Sequence, residues 1–232
     1  MKYADTNISE FRYERKYLIK QLSKYDVENI IKFHPAMFSE IFHQRFVNNL
    51  YFDSYQLNNY YENIEGVKNR IKVRIRWYGK LFGYIEKPYL EVKIKKGELG
   101  QKLSYSLTPF TLSKNTKIVE ILESFVKFND FYLIEFNSLI PTLLNRYSRK
   151  YFQSCSNNYR ITVDNDLSYY HINNENNNFL NHYYDSNSVI LELKYGQDFD
   201  REASYISSIF PFRISKNSKY VNGVQNIFQS II

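Results

Sequence analysis

The sequence predicts an α+β protein in which about eight antiparallel β-strands close into a barrel, with helices packed outside it and a helix at the C-terminus. The first observation is that apolar and polar residues alternate with a period of two in several separate segments. The second is composition, because 23 tyrosines and 18 phenylalanines favour strands. The third is that stretches of helical periodicity lie between the strand segments, which is typical of helices packed on a sheet.

The strand pattern occurs in eight segments, each rich in β-branched and aromatic residues. They are residues 11–20, 45–52, 68–78, 89–95, 102–107, 145–152, 159–163 and 189–195. Eight strands are enough to close a barrel that holds side chains or one small ligand.

The helical pattern occurs in five segments. They are residues 26–33, with Asp26 as the predicted N-cap, 53–65, 117–128, 201–209 and 219–232. The last segment has one apolar face, which predicts the C-terminal helix. Residues 173–188 are crowded with asparagine, so we expect a mobile loop or an irregular hairpin connection there.

The length of 232 residues allows one substantial core, and no linker or internal repeat is apparent. We therefore expect a single domain over residues 1–232, with its core at about 11–225. No segment approaches the roughly 20 apolar residues of a membrane span, and the first ten residues do not resemble a secretory signal. We expect a cytoplasmic protein, and the sequence leaves its oligomeric state open.

Composition excludes several kinds of site. Seven glycines leave little material for phosphate-binding loops, and neither a Walker loop nor a GxSxG elbow occurs. Cys155 is the single cysteine, so it cannot form an intramolecular disulfide and is expected to be a buried or incidental thiol. The four histidines lack the spacing of a zinc site and are expected to be surface or packing residues: His34, His43, His171 and His182.

The charge balance indicates a polyanionic partner. Lysine and arginine outnumber aspartate and glutamate by 31 to 24, which gives a net charge of +7. Because Lys72, Arg74 and Arg76 alternate with apolar residues, all three point to one side of their strand. The pattern recurs in five more segments, through Arg12, Glu14 and Lys16; Glu91, Lys93 and Lys95; Tyr147, Arg149 and Tyr151; Arg160, Thr162 and Asp164; and Glu192 and Lys194.

These charged faces have two interpretations. An antiparallel strand with one wet face alternates in the same way, so any one strand is explained by solvent exposure. A wet face normally mixes charge signs, however, whereas these faces are mostly cationic, and like charges on neighbouring strands destabilise their pairing. If the sheet curls with these faces inward, the barrel encloses a cationic tunnel suited to a chain of phosphates.

The carboxylates among these cations also have two interpretations. Mg²⁺ and Mn²⁺ prefer oxygen ligands and commonly share them between protein carboxylates and substrate phosphates. Alternatively, each carboxylate forms an ion pair with a neighbouring lysine or arginine. The residues concerned are Glu14, Glu91, Asp164 and Glu192.

Eight short strings, in order along the chain, resemble the VTC domain. They are RYERKY at 12–17, NLYFD at 49–53, RIRWYG at 74–79, LEVK at 90–93, YSR at 147–149, RITVD at 160–164, LELK at 191–194 and SKY at 218–220. The VTC domain is the polyphosphate polymerase module of the vacuolar transporter chaperone complex, and it belongs to the triphosphate tunnel metalloenzymes of the CYTH-like superfamily. The resemblance runs from about residue 11 to 225.

The resemblance implies a triphosphate tunnel in which the γ-phosphoryl group of ATP is transferred to a growing polyphosphate chain, with Mn²⁺ or Mg²⁺. By motif position it implies a catalytic set of Lys16, Arg74, Arg76, Arg149 and Lys219. Phosphate contacts are expected from Lys93, Lys102, Tyr147 and Ser218, to which we add Lys194 and Arg12 on the same faces. The implied metal ligand is Glu192, with Glu14 as a second carboxylate.

The chain departs from the wider superfamily in its first strand. The ExExK motif that is usual there is reduced to Glu14 and Lys16, because Arg12 occupies its first position. This departure disfavours the two-carboxylate metal site of the triphosphatases and agrees better with the polymerase branch.

Three other functions stay open. One is hydrolysis of triphosphate or a nucleoside triphosphate on the same fold, and another is a non-catalytic sensor that binds polyphosphate. The third is binding of single-stranded nucleic acid, which basic grooves with aromatic rings support. We do not expect a nucleic-acid partner, because the basic residues follow strand alternation and no nucleic-acid signature occurs. A membrane partner protein is compatible with the resemblance.

Overall fold

The sheet of this protein is a ring of eight antiparallel strands. The computed structural model describes residues 7–8, 10–126 and 138–229. Its ring strands are β2 (Arg12–Ile19), β3 (Ser39–Ser54), β4 (Asn69–Tyr78), β6 (Tyr89–Lys96), β7 (Leu99–Ser106), β9 (Leu139–Gln153), β10 (Tyr159–His171) and β12 (Val189–Gly196). They pair in the order β2-β12-β10-β9-β3-β4-β6-β7, and β7 pairs with β2 again through Arg12 and Gly100. The predicted fold class is confirmed.

Four short strands lie beside the ring. They are β1 (Asn7–Ile8), which pairs with β7; β11 (His182–Asp185), which pairs with β10; and the separate pair β5 (Gly83–Ile85) and β8 (Phe110–Leu112). Each is too short to show a period of two in the sequence. Residues 173–188 were predicted to form a mobile loop or an irregular hairpin connection, and the antiparallel pairing of β11 with β10 agrees with the hairpin connection.

Three ring strands extend far beyond the segments that alternation predicts: β3, β9 and β10. Alternation fails where the register shifts, as it does between Phe42 and Arg45 in β3 and between Asn165 and Ser168 in β10. A bulge adds a residue to one strand, so the side chains beyond it change phase while the pairing continues.

The helices are α1 (Lys24–Lys32), α2 (Asn58–Glu65), α3 (Ile118–Val126), α4 (Asp200–Ile209) and α5 (Lys219–Gln229). The predicted cap of α1 was wrong, because Ser23 is the N-cap and Asp26 completes a capping box from the third helical position. Of the predicted helical segments, residues 127–128 and 230–232 lie outside the described residues.

Helix α2 begins five residues later than predicted, because Asp53 belongs to strand β3. The Asp53 carboxylate accepts hydrogen bonds from the backbone amides of Asn59 (2.9 Å) and Tyr60 (3.0 Å) at the start of the helix. It also accepts one from the hydroxyl of Tyr220. Asp53 therefore joins the end of β3 to two helices, α2 and α5.

Helix α5 covers one end of the ring. Its apolar face, which includes Tyr220, Val224 and Ile227, packs on Tyr51 and Leu143 of the ring. Helices α1 and α4 instead pack on the outside of β2, β10 and β12. None of the helices in the described residues is long and apolar enough to span a membrane.

Candidate functional site

The charged faces of the strands point into the space that the ring encloses, which we call the tunnel interior. Contacts between strands that are not neighbours in the ring must cross this space. Lys93 of β6 donates to Glu14 of β2 at 2.8 Å, and Arg76 of β4 donates to the hydroxyl of Tyr147 of β9 at 3.3 Å. The cations inside are Lys16, Lys72, Arg74, Arg76, Lys93, Lys102, Arg149, Lys194 and, from α5, Lys219.

The first group of ion pairs surrounds Glu91 on strand β6. Its carboxylate accepts from Arg74 at 2.6 Å and from Lys102 at 2.9 Å, and Arg76 lies at 3.4 Å. Burial raises the pKa of Glu91, but the charges of Arg76, Arg74 and Lys102 outweigh burial and hold that pKa far below its ordinary value. Glu91 is therefore ionised and holds three cations on one side of the tunnel.

The second group surrounds Glu192 on strand β12. Its carboxylate lies 2.8 Å from Lys194, 3.4 Å from Lys219, 3.5 Å from Lys16 and 3.6 Å from Arg149. Burial raises the pKa of Glu192, but these four cations outweigh burial and hold it well below the usual range. These four cations lie far apart in the sequence, on β2, β9, β12 and α5. Closure of the ring and the position of α5 bring them together.

Asp164 on strand β10 anchors the deepest pair. Arg149 holds it with two parallel bonds of 2.5 and 2.6 Å, and Lys219 lies 2.5 Å from its second oxygen. The Asp164 side chain is completely inaccessible to solvent. A bidentate, charge-assisted pair fixes the guanidinium in one orientation, so Arg149 is held rigidly toward the interior.

Glu14 joins the two sides of the tunnel. It lies 2.8 Å from Lys93, 3.4 Å from Lys194 and 3.6 Å from Lys16. Lys16 and Lys194 each contact Glu192 as well, so these two lysines bridge the Glu14 and Glu192 carboxylates.

Neutral donors and acceptors complete the interior. Asn49 accepts from Arg76 at 2.8 Å and donates to Asn145 at 2.8 Å. The Tyr147 ring lies beneath two cations, with Lys219 Nζ 4.8 Å and Arg149 Cζ 5.1 Å from its centroid. Such contacts stabilise a cation without neutralising its charge.

Lys72 differs from the other interior cations. Its Nζ donates to the Ser218 hydroxyl at 3.0 Å, and among the described residues no carboxylate lies within 4 Å of it. Burial and the nearby charges of Lys16, Lys93, Arg70 and Arg74 lower the pKa of Lys72 well below its ordinary value. Within the described part of the chain, Lys72 therefore has a hydroxyl and no carboxylate as its close partner.

The structure brings nearly all the predicted site residues together in one network. Arg12 is apart from it: it is half-buried at the start of β2, opposite Gly100 and Gly196, where it helps to close the ring. Lys72, Glu91 and Asp164 were predicted to lie on the charged strand faces but were not assigned to the site, and Asn49 was not predicted to belong to it. The alternation of Lys72 with Arg74 was an available signal, whereas nothing local marks Asn49 as an interior residue.

The interior retains positive charge. Its cations outnumber its carboxylates, which are Glu14, Glu91, Asp164 and Glu192. Each carboxylate holds two or more cations in place, so the cations are arranged before any ligand binds. The geometry therefore agrees with the interpretation of the carboxylates as ion-pair partners. It also agrees with the interpretation of the charged strand faces as an inner cationic surface.

The resemblance to the VTC domain implies a divalent metal, and the carboxylates can be compared with that requirement. Within residues 10–126 and 138–229, no three His, Cys, Asp or Glu side chains form a ready-made ligand set. Mg²⁺ is commonly bound by one or two carboxylates together with substrate phosphates. Glu192 and Glu14, ionised and bridged by the same lysines, fit that smaller donor set.

A closed eight-stranded ring with cations inside defines the class of triphosphate tunnel folds. Comparison with known proteins gives the family: the profile of the VTC domain matches residues 11–228. The chain therefore belongs to the VTC domain family. No curated protein matches it.

Three solved structures that are similar to this chain have low sequence identity to it. A proposed adenylate cyclase from Vibrio parahaemolyticus is 12% identical with a TM-score of 0.50, over 95% of this chain and 99% of that one. A proposed adenylyl cyclase from Hippeastrum, described as having dominant triphosphatase activity, is 12% identical with a TM-score of 0.47, over 96% of both chains. One from Bacillus halodurans is 15% identical with a TM-score of 0.47, over 94% and 98%.

Proposed function

We propose that this protein transfers the γ-phosphoryl group of ATP onto a growing polyphosphate chain. The observation that carries the proposal is the preformed cationic interior, in which ionised carboxylates hold lysines and arginines toward a shared space. A polyanion in this space would meet more cations than the carboxylates neutralise. Family membership supports the same substrates, ATP and polyphosphate. Placement of the cations inside the ring favours a phosphate chain over a nucleic acid.

Phosphoryl transfer requires donor and acceptor to be held in line while negative charge on the transferred group is neutralised. Arg74, Arg76 and Arg149 present planar forks of donors that match phosphate oxygens. Lys16, Lys93 and Lys219 act as point charges on flexible stems. No protein nucleophile is required, because the acceptor is itself a phosphate oxygen.

The remaining proposed contacts have smaller roles. Lys102 and Lys194 extend the row of cations, and the hydroxyls of Tyr147 and Ser218 donate to phosphate oxygens. Arg12 would contact the chain only at the edge of the ring. Glu192, with Glu14, would hold Mn²⁺ or Mg²⁺, which would supply further positive charge to offset that of the phosphates.

Hydrolysis of triphosphate is the second candidate. The observation that favours it is the adjacency of Glu14 and Glu192, two ionised carboxylates bridged by Lys16 and Lys194. Such a pair suits a metal site that orients water. Arg12 in place of a further carboxylate argues against this candidate.

The test is an assay with ATP and either Mn²⁺ or Mg²⁺ in which ADP, inorganic phosphate and acid-labile polymer are measured together. We expect ADP and polymer phosphate in equal amounts. Glu192→Gln should lower kcat by about 100-fold or more. The same variant should keep or tighten affinity for tripolyphosphate, because it removes a negative charge from the interior. Glu28→Gln is the matched control, since Glu28 pairs with Lys150 outside the ring.

Each contrary outcome identifies another function. Release of inorganic phosphate without polymer under either metal would identify a hydrolase. Tight binding of polyphosphate without turnover would identify a binding module. The cytoplasmic location and the single-domain organisation stay predictions.

A further inference from the structure

An arginine lies among three aromatic rings beside the interior. The Arg45 guanidinium carbon is 4.3 Å from the ring centroid of Tyr78, 4.7 Å from that of Tyr151 and 5.4 Å from that of Phe42. Arg45 also donates to the Tyr151 hydroxyl at 3.3 Å. We call these four residues the aromatic cluster. Ion pairs of Arg45 with a carboxylate are absent from the described part of the chain.

The aromatic cluster continues the row of interior arginines. Tyr78 follows Arg76 by two residues on β4, and Tyr151 follows Arg149 by two on β9, so each ring lies on the same face as the arginine before it. Arg45 pairs directly with Arg149 across β3 and β9. The cluster therefore lies at the end of the ring where β3 begins and where β4 and β9 end.

The two ends of the ring differ in exposure. At the end covered by α5, Tyr51 and Tyr220 are only 5% and 2% exposed. In the aromatic cluster, Phe42 is 51% and Tyr78 is 41% exposed. Large rings that are half exposed on the inner face of a strand have free surfaces available to a planar ligand.

We propose that the aromatic cluster binds the nucleobase of the phosphate donor. Aromatic rings and arginine planes are the groups on which nucleobases stack, and stacking of this kind accepts any base. Two residues along a strand span about 7 Å, so a base on Tyr78 lies about one ribose beyond a phosphate held by Arg76. The positive charge of Arg45 faces the same region and attracts the phosphate nearest the ribose.

This inference rests on the proposed function and adds the orientation of the bound nucleotide in the tunnel interior. The base lies at the end where β3 begins, and the triphosphate extends from there toward Glu192 and Lys72. The donor is a nucleoside triphosphate of low base selectivity, because the described residues of the cluster offer rings and one arginine but no amide or carboxylate that would distinguish bases.

The test is calorimetric titration of two ligands, the β,γ-imido analogue of ATP and inorganic tripolyphosphate. Tyr78→Leu and Phe42→Leu should each weaken binding of the ATP analogue by about 5-fold to 100-fold. Both variants should leave the affinity for tripolyphosphate unchanged, because that ligand has no base. Tyr205→Leu is the matched control, since Tyr205 is an exposed aromatic residue on α4. It should change neither affinity.

Equal loss of both affinities, or loss of neither in both variants, would overturn the inference. Phe42→Leu provides the result if Tyr78→Leu proves unstable, because half of the Phe42 ring is already in solvent. Failure of the proposed function gives a different result. In that case no polymer is formed from ATP, yet Tyr78→Leu and Phe42→Leu still weaken binding of the ATP analogue and leave the affinity for tripolyphosphate unchanged.

Discussion

At the scale of single residues, the lysines of the interior divide into paired and unpaired groups. Lys219 lies 2.5 Å from Asp164 and 3.4 Å from Glu192, and these charges raise its pKa despite burial. Lys72 has a hydroxyl as its hydrogen-bond partner, and burial together with neighbouring cations lowers its pKa. The same residue type therefore stabilises the fold at one position and opposes it at the other.

Substitution of these two lysines should have opposite effects. Lys219→Met removes one partner of a buried carboxylate and should lower the free energy of unfolding by about 2 kcal/mol or more. Lys72→Met removes a charge without an anionic partner and should raise it by about 1 kcal/mol at pH 7. Urea unfolding measures both. If Lys72→Met lowered the free energy of unfolding as much as Lys219→Met, the Lys72 charge could not be one that opposes folding.

The pH dependence gives a second measure of the Lys72 effect. Because the pKa of Lys72 is lower in the folded protein, the unfolded chain binds more protons between that lowered pKa and the ordinary value of 10.5. The cost of the Lys72 charge is therefore complete below the lowered pKa and fades as pH rises toward 10.5. The stability difference between Lys72→Met and the natural protein should shrink as pH is raised from neutral.

At the scale of elements, helix α5 connects stability to the site. Its first turn carries Lys219 into the interior, and its apolar face covers one end of the ring. The helix can approach the ring because residue 223 is glycine. A Cβ added there would meet the side chains of Leu143 and Tyr169 closer than van der Waals contact allows.

Gly223→Ala should therefore displace α5. The gain in helix propensity of alanine, about 1 kcal/mol, is smaller than the overpacking cost of about 1 to 3 kcal/mol. We expect a net loss of stability in urea unfolding and a weaker affinity for tripolyphosphate in calorimetry, since Lys219 moves with the helix. Gln225→Ala, on the exposed side of α5, is the control and should change neither. If stability fell while the affinity for tripolyphosphate stayed unchanged, the position of Lys219 would not depend on how closely α5 packs on the ring.

At the scale of the whole molecule, the excess of interior cations makes ligand binding and stability interdependent. The cations repel one another wherever carboxylates do not neutralise them, so a polyanion should stabilise the folded state. At 100 times its dissociation constant, a ligand adds about 2.7 kcal/mol to stability. For a chain of this size that corresponds to roughly 5 to 10 °C in the melting temperature.

Adjacent residues on β9 allow a controlled test of this effect. Arg149 points into the interior, whereas Lys150 pairs with Glu28 on α1 outside the ring. The shift in melting temperature caused by tripolyphosphate should fall by half or more in Arg149→Met and stay unchanged in Lys150→Met. High salt should reduce the shift in the natural protein by screening. Equal shifts in the two variants would place the ligand outside the tunnel.

Much of the fold is predictable from local pattern. Alternation in the segment around Arg74 and Arg76 predicted both the strand and the shared face of its cations, because the side-chain period of a strand is two. Alternation also predicted the ring strands and most of the site residues. No alternation marks β11 or the extensions of β3, β9 and β10, where short length or a bulge removes the pattern.

The sequence by itself determined which residues share a face, since that depends only on neighbours along one strand. Only the tertiary structure decided which face is enclosed and which charges meet across it. Lys93 pairs with Glu14 because of the strand order and the closure of the ring. Lys219 pairs with Asp164 because α5 packs on one end of the ring. Among the residues that the structure describes, the same contacts leave Lys72 without a carboxylate within 4 Å. Such pairings are non-local, because they depend on the register of several strands at once, and no single segment encodes them.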